Sequence, residues 1–250
     1  MTARLRAREA EPKAERLHAP LSLRAVRAGY GRIEILHGID VAVRRGAVTT
    51  LLGPNGAGKT TTLNVLSGVL RPTEGCRHVE GRHVNDADAS DLARLGVCHV
   101  REGRSVFPNL SVADNLLVAT SSGVALERVE DVAFTLFPVL KERRKQLAGT
   151  LSGGEKQMLA LARGLGTDPG VLLVDELSMG LAPIIVEQLY EAVDAVARSG
   201  VSVLLVEQFA TVGLRHASHV YVMAHGVVTY DGSSADAMDA VHAAYLGSDR

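Results

Sequence analysis

The stretch Gly53-Pro54-Asn55-Gly56-Ala57-Gly58-Lys59-Thr60, continued by Thr61, decides how the rest of the chain is read. It fits the pattern GxxxxGK[ST] in full. Gly53, Gly56 and Gly58 permit positive φ and let the backbone N–H groups of Asn55 to Thr61 approach phosphate oxygens. Lys59 reaches terminal phosphates through charge-assisted hydrogen bonds, and the Thr60 hydroxyl suits Mg2+, which keeps most of its water. A glycine-rich turn can hold Lys and Thr by chance, so context matters. Before it stands a short apolar run, Ala47 to Leu52 (AVTTLL), and after it a helical pattern from Lys59 to Leu70. A helix starting there aims its positive end at the same anion. The reading is a strand, a phosphate loop and a helix, with ATP as the expected ligand.

Outward from the loop, Val171 to Val174 and Val201 to Val206 repeat the short, partly β-branched apolar run. Strands buried on both faces look like this, and they belong to a parallel sheet covered by helices such as one from Ile184 to Arg198. From Leu21 to Val43 apolar residues alternate, which predicts antiparallel strands with one buried face. Helical patterns fill about 86–164 and predict a separate helical lobe. VYVMAHGVVTY predicts a hairpin turning at His225-Gly226, and residues 1–20 read as a mobile extension.

VLLVDE places Asp175 and Glu176 at the end of a buried strand. An acidic pair there is common in solvated loops. Beside a phosphate loop it reads as hydrolytic: Asp175 orients Mg2+, mainly through water, and Glu176 polarises the attacking water as general base.

Bulk properties set outer bounds. At 250 residues with 46% hydrophobic and 22% charged residues, one large soluble domain is expected. A formal net charge of −1 gives no field that draws nucleic acid, and none is expected as a partner. Cys76 and Cys98 make no disulfide framework. No apolar run reaches the roughly 18 residues of a membrane span, and the N-terminus has no secretory character. Any membrane crossing must come from another chain. His216 and His219 lack a third ligand, so metal binding is not assigned to them. Lys141 to Lys145 (KERRK) reads as a solvated helix face. Phe107 reads equally as a partner anchor or a local core residue.

The segment Leu151 to Gln157 (LSGGEKQ) adds a third motif. Ser152 can cap a helix beginning at Gly153, and Glu155 completes a capping box. Gly153 and Gly154 leave that helix end open to an anion. Alone this is an ordinary capped helix. Together with GPNGAGKTT and VLLVDE, it makes the chain resemble the ATP-binding cassette (ABC) ATPases from Leu21 onward. The resemblance implies an α/β P-loop NTPase fold with a RecA-like parallel-sheet core, an N-terminal antiparallel β subdomain and an inserted helical subdomain. It also implies a head-to-tail pair of cassettes, in which each LSGGE segment (Ser152, Gly153, Gly154, Glu155) closes over ATP held by its partner's phosphate loop.

Further positions follow from the resemblance one at a time. Tyr30 falls where the family stacks an aromatic residue on adenine, though a strand-edge tyrosine reads the same way. Glu102 falls in the loop that contacts Mg2+ and the membrane partner, where most relatives have Gln. Gln208 stands where most carry the γ-phosphate-sensing His, and Ala182 replaces a usual Asp. Glu102 in EGR, together with SMGLAP and VEQ, is similar to the cassettes of branched-chain amino acid importers, with urea and amide importers close by. Leu177 and Arg101 depart from that branch, each standing where proline is usual, and Gly75 to Leu95 is less typical of it. The implied partners are a second ABC ATPase subunit (a heterodimer by preference), transmembrane permeases and, indirectly, an extracytoplasmic solute-binding protein. The implied location is the cytoplasmic face of the inner membrane. An ABC exporter cassette and a non-transport ABC ATPase are the alternatives.

Overall fold

The computed structural model describes residues 18–101, 103 and 106–246. The extension expected over residues 1–20 lies almost wholly outside the described residues, and so does Glu102. In chain order the elements begin β1 (Leu21–Tyr30), β2 (Ile33–Val43), β3 (Val48–Leu52), α1 (Lys59–Leu66), β4 (Glu74–Val79), β5 (Arg82–His83), α2 (Ala89–Arg94) and β6 (Val97–Val100). Helices α3 (Val112–Leu117), α4 (Leu126–Leu136), α5 (Pro138–Glu142) and α6 (Gly153–Leu165) follow. The chain then runs through β7 (Val171–Asp175), α7 (Pro183–Arg198), β8 (Ser202–Glu207), α8 (Ala210–His216), β9 (His219–Ala224), β10 (Val227–Gly232) and α9 (Met238–Leu246).

Two sheets carry the fold. One has the order β10-β9-β3-β8-β7-β6, and all its pairings are parallel except the β9–β10 hairpin. The other, β2-β1-β4-β5, is antiparallel. The expected parallel core and antiparallel N-terminal subdomain are both present.

Strand periodicity explains how one sheet serves two cores. Successive side chains point to opposite faces. On β7, Leu172 and Val174 join Leu159 and Leu161 of α6 and Leu189 and Val193 of α7. Val171 and Leu173 point the other way, toward Leu63 and Leu66 of α1 and Leu21 and Ile39 of the antiparallel sheet. Strand β8 divides likewise, Val203 and Leu205 against Leu204 and Val206. Burying each such side chain contributes about 1.5–3 kcal/mol, so a one-residue slip of either strand would exchange two cores at once.

A buried arginine fixes α1 from below. Arg77 of β4 is fully buried and donates from Nη1 to the Val65 carbonyl at 2.5 Å and from Nη2 to Val84 O at 2.8 Å. A guanidinium at a helix C-terminus satisfies carbonyls that have no partner within the helix. Burial lowers the Arg77 pKa, and the ring of carbonyl acceptors is what keeps its charge tolerable.

The lobe boundary differs from expectation. Val97–Val100 lies inside the range 86–164 yet pairs in parallel with Val171–Val174 as the edge of the core sheet. Its four residues, VCHV, are only half apolar, and Cys98 and His99 are half-buried. An edge strand of this kind carries too weak an apolar run to separate from helical surroundings. The lobe proper is α3 to α5 packed on α6. Ser111 and Asp114 form a capping box on α3. The fully buried Asn115 closes the preceding loop, accepting from Phe107 N at 2.8 Å and donating to Phe107 O at 3.0 Å.

At the C-terminal hairpin, His225 and Gly226 have φ of 49° and 75°. Two successive positive φ values suit a type I′ turn, and the turn lies where the sequence predicts it.

Candidate nucleotide site

The phosphate loop leaves β3 and enters α1 at the C-terminal edge of the parallel sheet, where ligands bind in open α/β folds. Its shape depends on glycine in two places. A Cβ on Gly53 would collide with the Met223 carbonyl oxygen of β9. Gly58 has φ +103° as the N-cap of α1, and a Cβ there would also stand 2.9 Å from Leu36 Cδ2. No acidic side chain occupies the first turn of α1. The helix therefore offers its positive end uncompensated. Asn55, Gly56 and Thr60 are exposed, Pro54 is half-buried, and Ala57, Lys59 and Thr61 are buried.

Lys59 is buried, with Nζ donating to Gly53 O at 2.8 Å and Pro54 O at 3.2 Å. Burial pulls its pKa down, against the opposing charges of Glu176, Asp175 and Glu207. The ammonium is thus folded back onto its own loop, bound to neutral carbonyls that charged phosphate oxygens can outcompete.

Strand β7 delivers the acidic pair to the same place. Glu176 Oε1 lies 3.9 Å from Lys59 Nζ. Asp175 is buried at the strand end. The Glu176 backbone has φ +44°, a left-handed conformation that a non-glycine residue adopts at a cost of about 1–3 kcal/mol. Its N–H is held by Val206 O of β8 at 3.0 Å. Thr60, exposed on α1, and the buried Asp175 each carry oxygen donors of the type hard divalent cations take.

Gln208 follows β8 directly and is half-buried; its carbonyl accepts from the Tyr245 hydroxyl of α9 at 2.6 Å. Tyr30 is half-exposed, and its hydroxyl accepts from Asn64 Nδ2 of α1 at 3.0 Å. Both sequence-predicted residues are therefore tied to elements that frame the phosphate loop.

The LSGGE segment is built as the sequence predicts but stands apart. Glu155 N donates to Ser152 Oγ at 3.2 Å, and Ser152 N donates to Glu155 Oε2 at 2.8 Å. Arg143, from the KERRK run, pairs with Glu155 Oε1 at 2.6 Å. Gly154 is required for packing, since a Cβ would stand 2.5 Å from Ile185 Cγ2 of α7. Among the described residues, no hydrogen bond or ion pair joins residues 152–155 to residues 53–61.

Three residues around this site escape the sequence reading. Glu207, Ser178 and Tyr190 form a buried cluster behind Glu176. The signal for Glu207 was present in LLVEQ, a carboxylate ending a buried apolar run, the same cue as in VLLVDE. His216 and His219 engage different carboxylates, Asp194 and Asp231, each at 2.8 Å. Phe107 is half-exposed with the Arg163 guanidinium 4.9 Å from its ring centroid.

Comparison with known proteins agrees with this geometry. Residues 36–178 match the family described as ABC transporter. The chain is 42% identical to the high-affinity branched-chain amino acid transport ATP-binding protein BraG of Pseudomonas aeruginosa, over 91% of this chain and 99% of that one. It is 32% identical to the lipopolysaccharide export system ATP-binding protein LptB of Acidithiobacillus ferridurans, over 87% and 92% of the two chains. In fold it is similar to the ADP conformation of an ATP-binding cassette of an ABC transporter, with a TM-score of 0.81 at 24% identity over 91% and 98% of the chains. The chain belongs to the ABC transporter family, as an ATP-binding subunit that hydrolyses ATP.

Proposed function

We propose that this chain energises the import of branched-chain amino acids. The observation that carries this reading is the 42% identity to BraG across nearly the full length of both chains. The Glu102, SMGLAP and VEQ signatures support it. Urea and short amides are the nearest alternative solutes.

In this reading Gly53 to Thr61 and Lys59 bind the ATP phosphates, and Tyr30 stacks on adenine. Ser152, Gly153, Gly154 and Glu155 of one cassette close over the ATP of the other, which is a second, different ABC subunit. Thr60, Asp175 and Glu102 are the residues that would hold Mg2+, which would supply positive charge to offset that of the terminal phosphates. Glu176 takes the proton from the attacking water, and Gln208 hydrogen-bonds the terminal phosphate. Dimer closure on ATP and release after hydrolysis move transmembrane permeases that receive solute from an extracytoplasmic binding protein. Among the described residues no helix is long and apolar enough to cross a membrane, in keeping with a peripheral position on the cytoplasmic face.

The test is ATP hydrolysis by the complex reconstituted with transmembrane permeases and an extracytoplasmic binding protein. Leucine, isoleucine or valine should stimulate hydrolysis through the binding protein, and Lys59→Ala should abolish the effect. Stimulation only by urea or amides would move the solute assignment. No stimulation by any of them, with export of a lipid or polysaccharide instead, would overturn import.

A further inference from the structure

Immediately behind Glu176 lies a buried carboxylate to which the proposed chemistry gives no task. Glu207 ends β8, one residue before Gln208, and is 1% exposed. Its Oε2 accepts from Ser178 Oγ at 2.9 Å, and its Oε1 accepts from Ser178 N at 3.3 Å and from the Tyr190 hydroxyl of α7. Every bond it makes in this cluster is to a neutral donor. Burial accordingly pushes its pKa up, against the lowering effect of Tyr190 and Ser178.

The position of these bonds gives them a purpose. Ser178 stands two residues after Glu176, whose backbone is held at φ +44°. A left-handed non-glycine residue persists only where its surroundings over-determine it. On the N-terminal side the restraint is Glu176 N to Val206 O at 3.0 Å. On the C-terminal side it is Ser178 bound to Glu207. Both anchors belong to β8, the strand that also delivers Gln208. Tyr190 braces Glu207 from α7, and its hydroxyl also bears on the Ser178 side chain.

We infer that Glu207 is a positioning residue for ATP hydrolysis, clamping the turn after Glu176 through Ser178 so that the general base and Gln208 keep one fixed relation. This inference rests on the roles proposed for Glu176 and Gln208. It assigns Glu207 no contact with the nucleotide and no proton transfer.

The bond pattern separates positioning from mere stability. Glu207→Gln preserves it: the amide oxygen replaces Oε1 for Ser178 N–H and Tyr190, while the amide nitrogen donates to Ser178 Oγ. Glu207→Ala and Ser178→Ala lose the clamp or part of it, whereas Tyr190→Phe keeps both Ser178–Glu207 bonds. Initial rates of phosphate release by the full chain should be measured at varied Mg2+-ATP, alongside thermal melting of each variant. Glu207→Ala should lower kcat about tenfold or more, since small displacements of a reacting group are costly. Its KM for ATP should change by less than about threefold, and kcat of Ser178→Ala should fall in the same direction. Glu207→Gln and Tyr190→Phe should keep kcat within about threefold of the original chain, even where Tyr190→Phe melts lower. If Glu207→Ala does not fold, Ser178→Ala decides, and an unchanged kcat there overturns the inference. It is also overturned if Tyr190→Phe loses as much kcat as Glu207→Ala, because rate would then follow stability. Glu176→Gln in parallel distinguishes the two levels: full activity in that variant would sink the general-base reading itself, independently of Glu207.

Discussion

Lys59 Nζ and Glu176 Oε1 stand 3.9 Å apart, the one cation of the phosphate loop facing the carboxylate that ends the hydrolytic turn. Two chain segments separated by β4 to α6 supply them, and the parallel pairing of β3 with β8 and of β8 with β7 brings them together. The ammonium is at the same time parked on the Gly53 and Pro54 carbonyls.

Lys59→Ala removes the only cation in this loop. Steady-state phosphate release should fall by about 10²–10³-fold, the scale for losing one charge-stabilising donor. Native far-ultraviolet circular dichroism alongside a lost rate would confirm that the loss is chemical rather than a failure to fold.

Glu176 combines the proposed general-base role with a left-handed backbone. Glu176→Gln should keep ATP binding, lose hydrolysis by about 10²-fold or more, and accumulate an ATP-bound dimer on size exclusion. Glu176→Gly should lose hydrolysis too, yet gain about 1 kcal/mol in urea unfolding, because glycine adopts φ +44° without strain. A Gly variant less stable than the original chain would remove the strain argument.

Gln208 can donate and accept a hydrogen bond but never becomes cationic. Glu102 and Gln208 both depart from the commoner family residues, and of the two only Gln208 lies among the described residues. Single-turnover hydrolysis should be faster in Gln208→His than in the original chain. Equal rates would mean that charge at this position does not limit the step.

A pH effect follows from His99 on β6. Burial, aided by the Arg101 charge, depresses its pKa from 6.5 to about 4. Neither ring nitrogen has a hydrogen-bond partner among the described residues. The unfolded chain therefore takes up the proton first. The stability due to neutral His99 is complete above pH 6.5 and declines as pH falls toward 4. Between pH 7 and pH 5 this one group should cost about 2 kcal/mol. Urea unfolding at the two pH values should show that difference narrowed in His99→Gln.

How much of this was legible in the chain depends on the range of the contacts involved. GPNGAGKT, VLLVDE and LSGGE are local patterns, and each forms the local structure its spacing implies: the αL cap at Gly58, the strand end at Asp175, the capping box of Ser152 and Glu155. Val97–Val100 was missed because it is a half-apolar edge strand, stabilised by pairing with β7 rather than by its own composition. The Glu207 cluster joins residues 17 and 29 positions apart, a relation no local period reveals. The collision that makes Gly53 obligatory comes from Met223, on a strand far along the chain. Sequence spacing reported the chemistry; the anchoring of that chemistry is tertiary.

The central claim is that the phosphate loop is half of a site completed by LSGGE from another cassette. The most direct test places a photo-cross-linking amino acid at Ser152 in the Glu176→Gln chain within the reconstituted transporter. With Mg2+-ATP, the adduct should join Ser152 to the phosphate loop of a second ABC subunit, and without nucleotide that adduct should vanish. An adduct formed equally with and without ATP, or one confined to a single chain, would contradict the shared site.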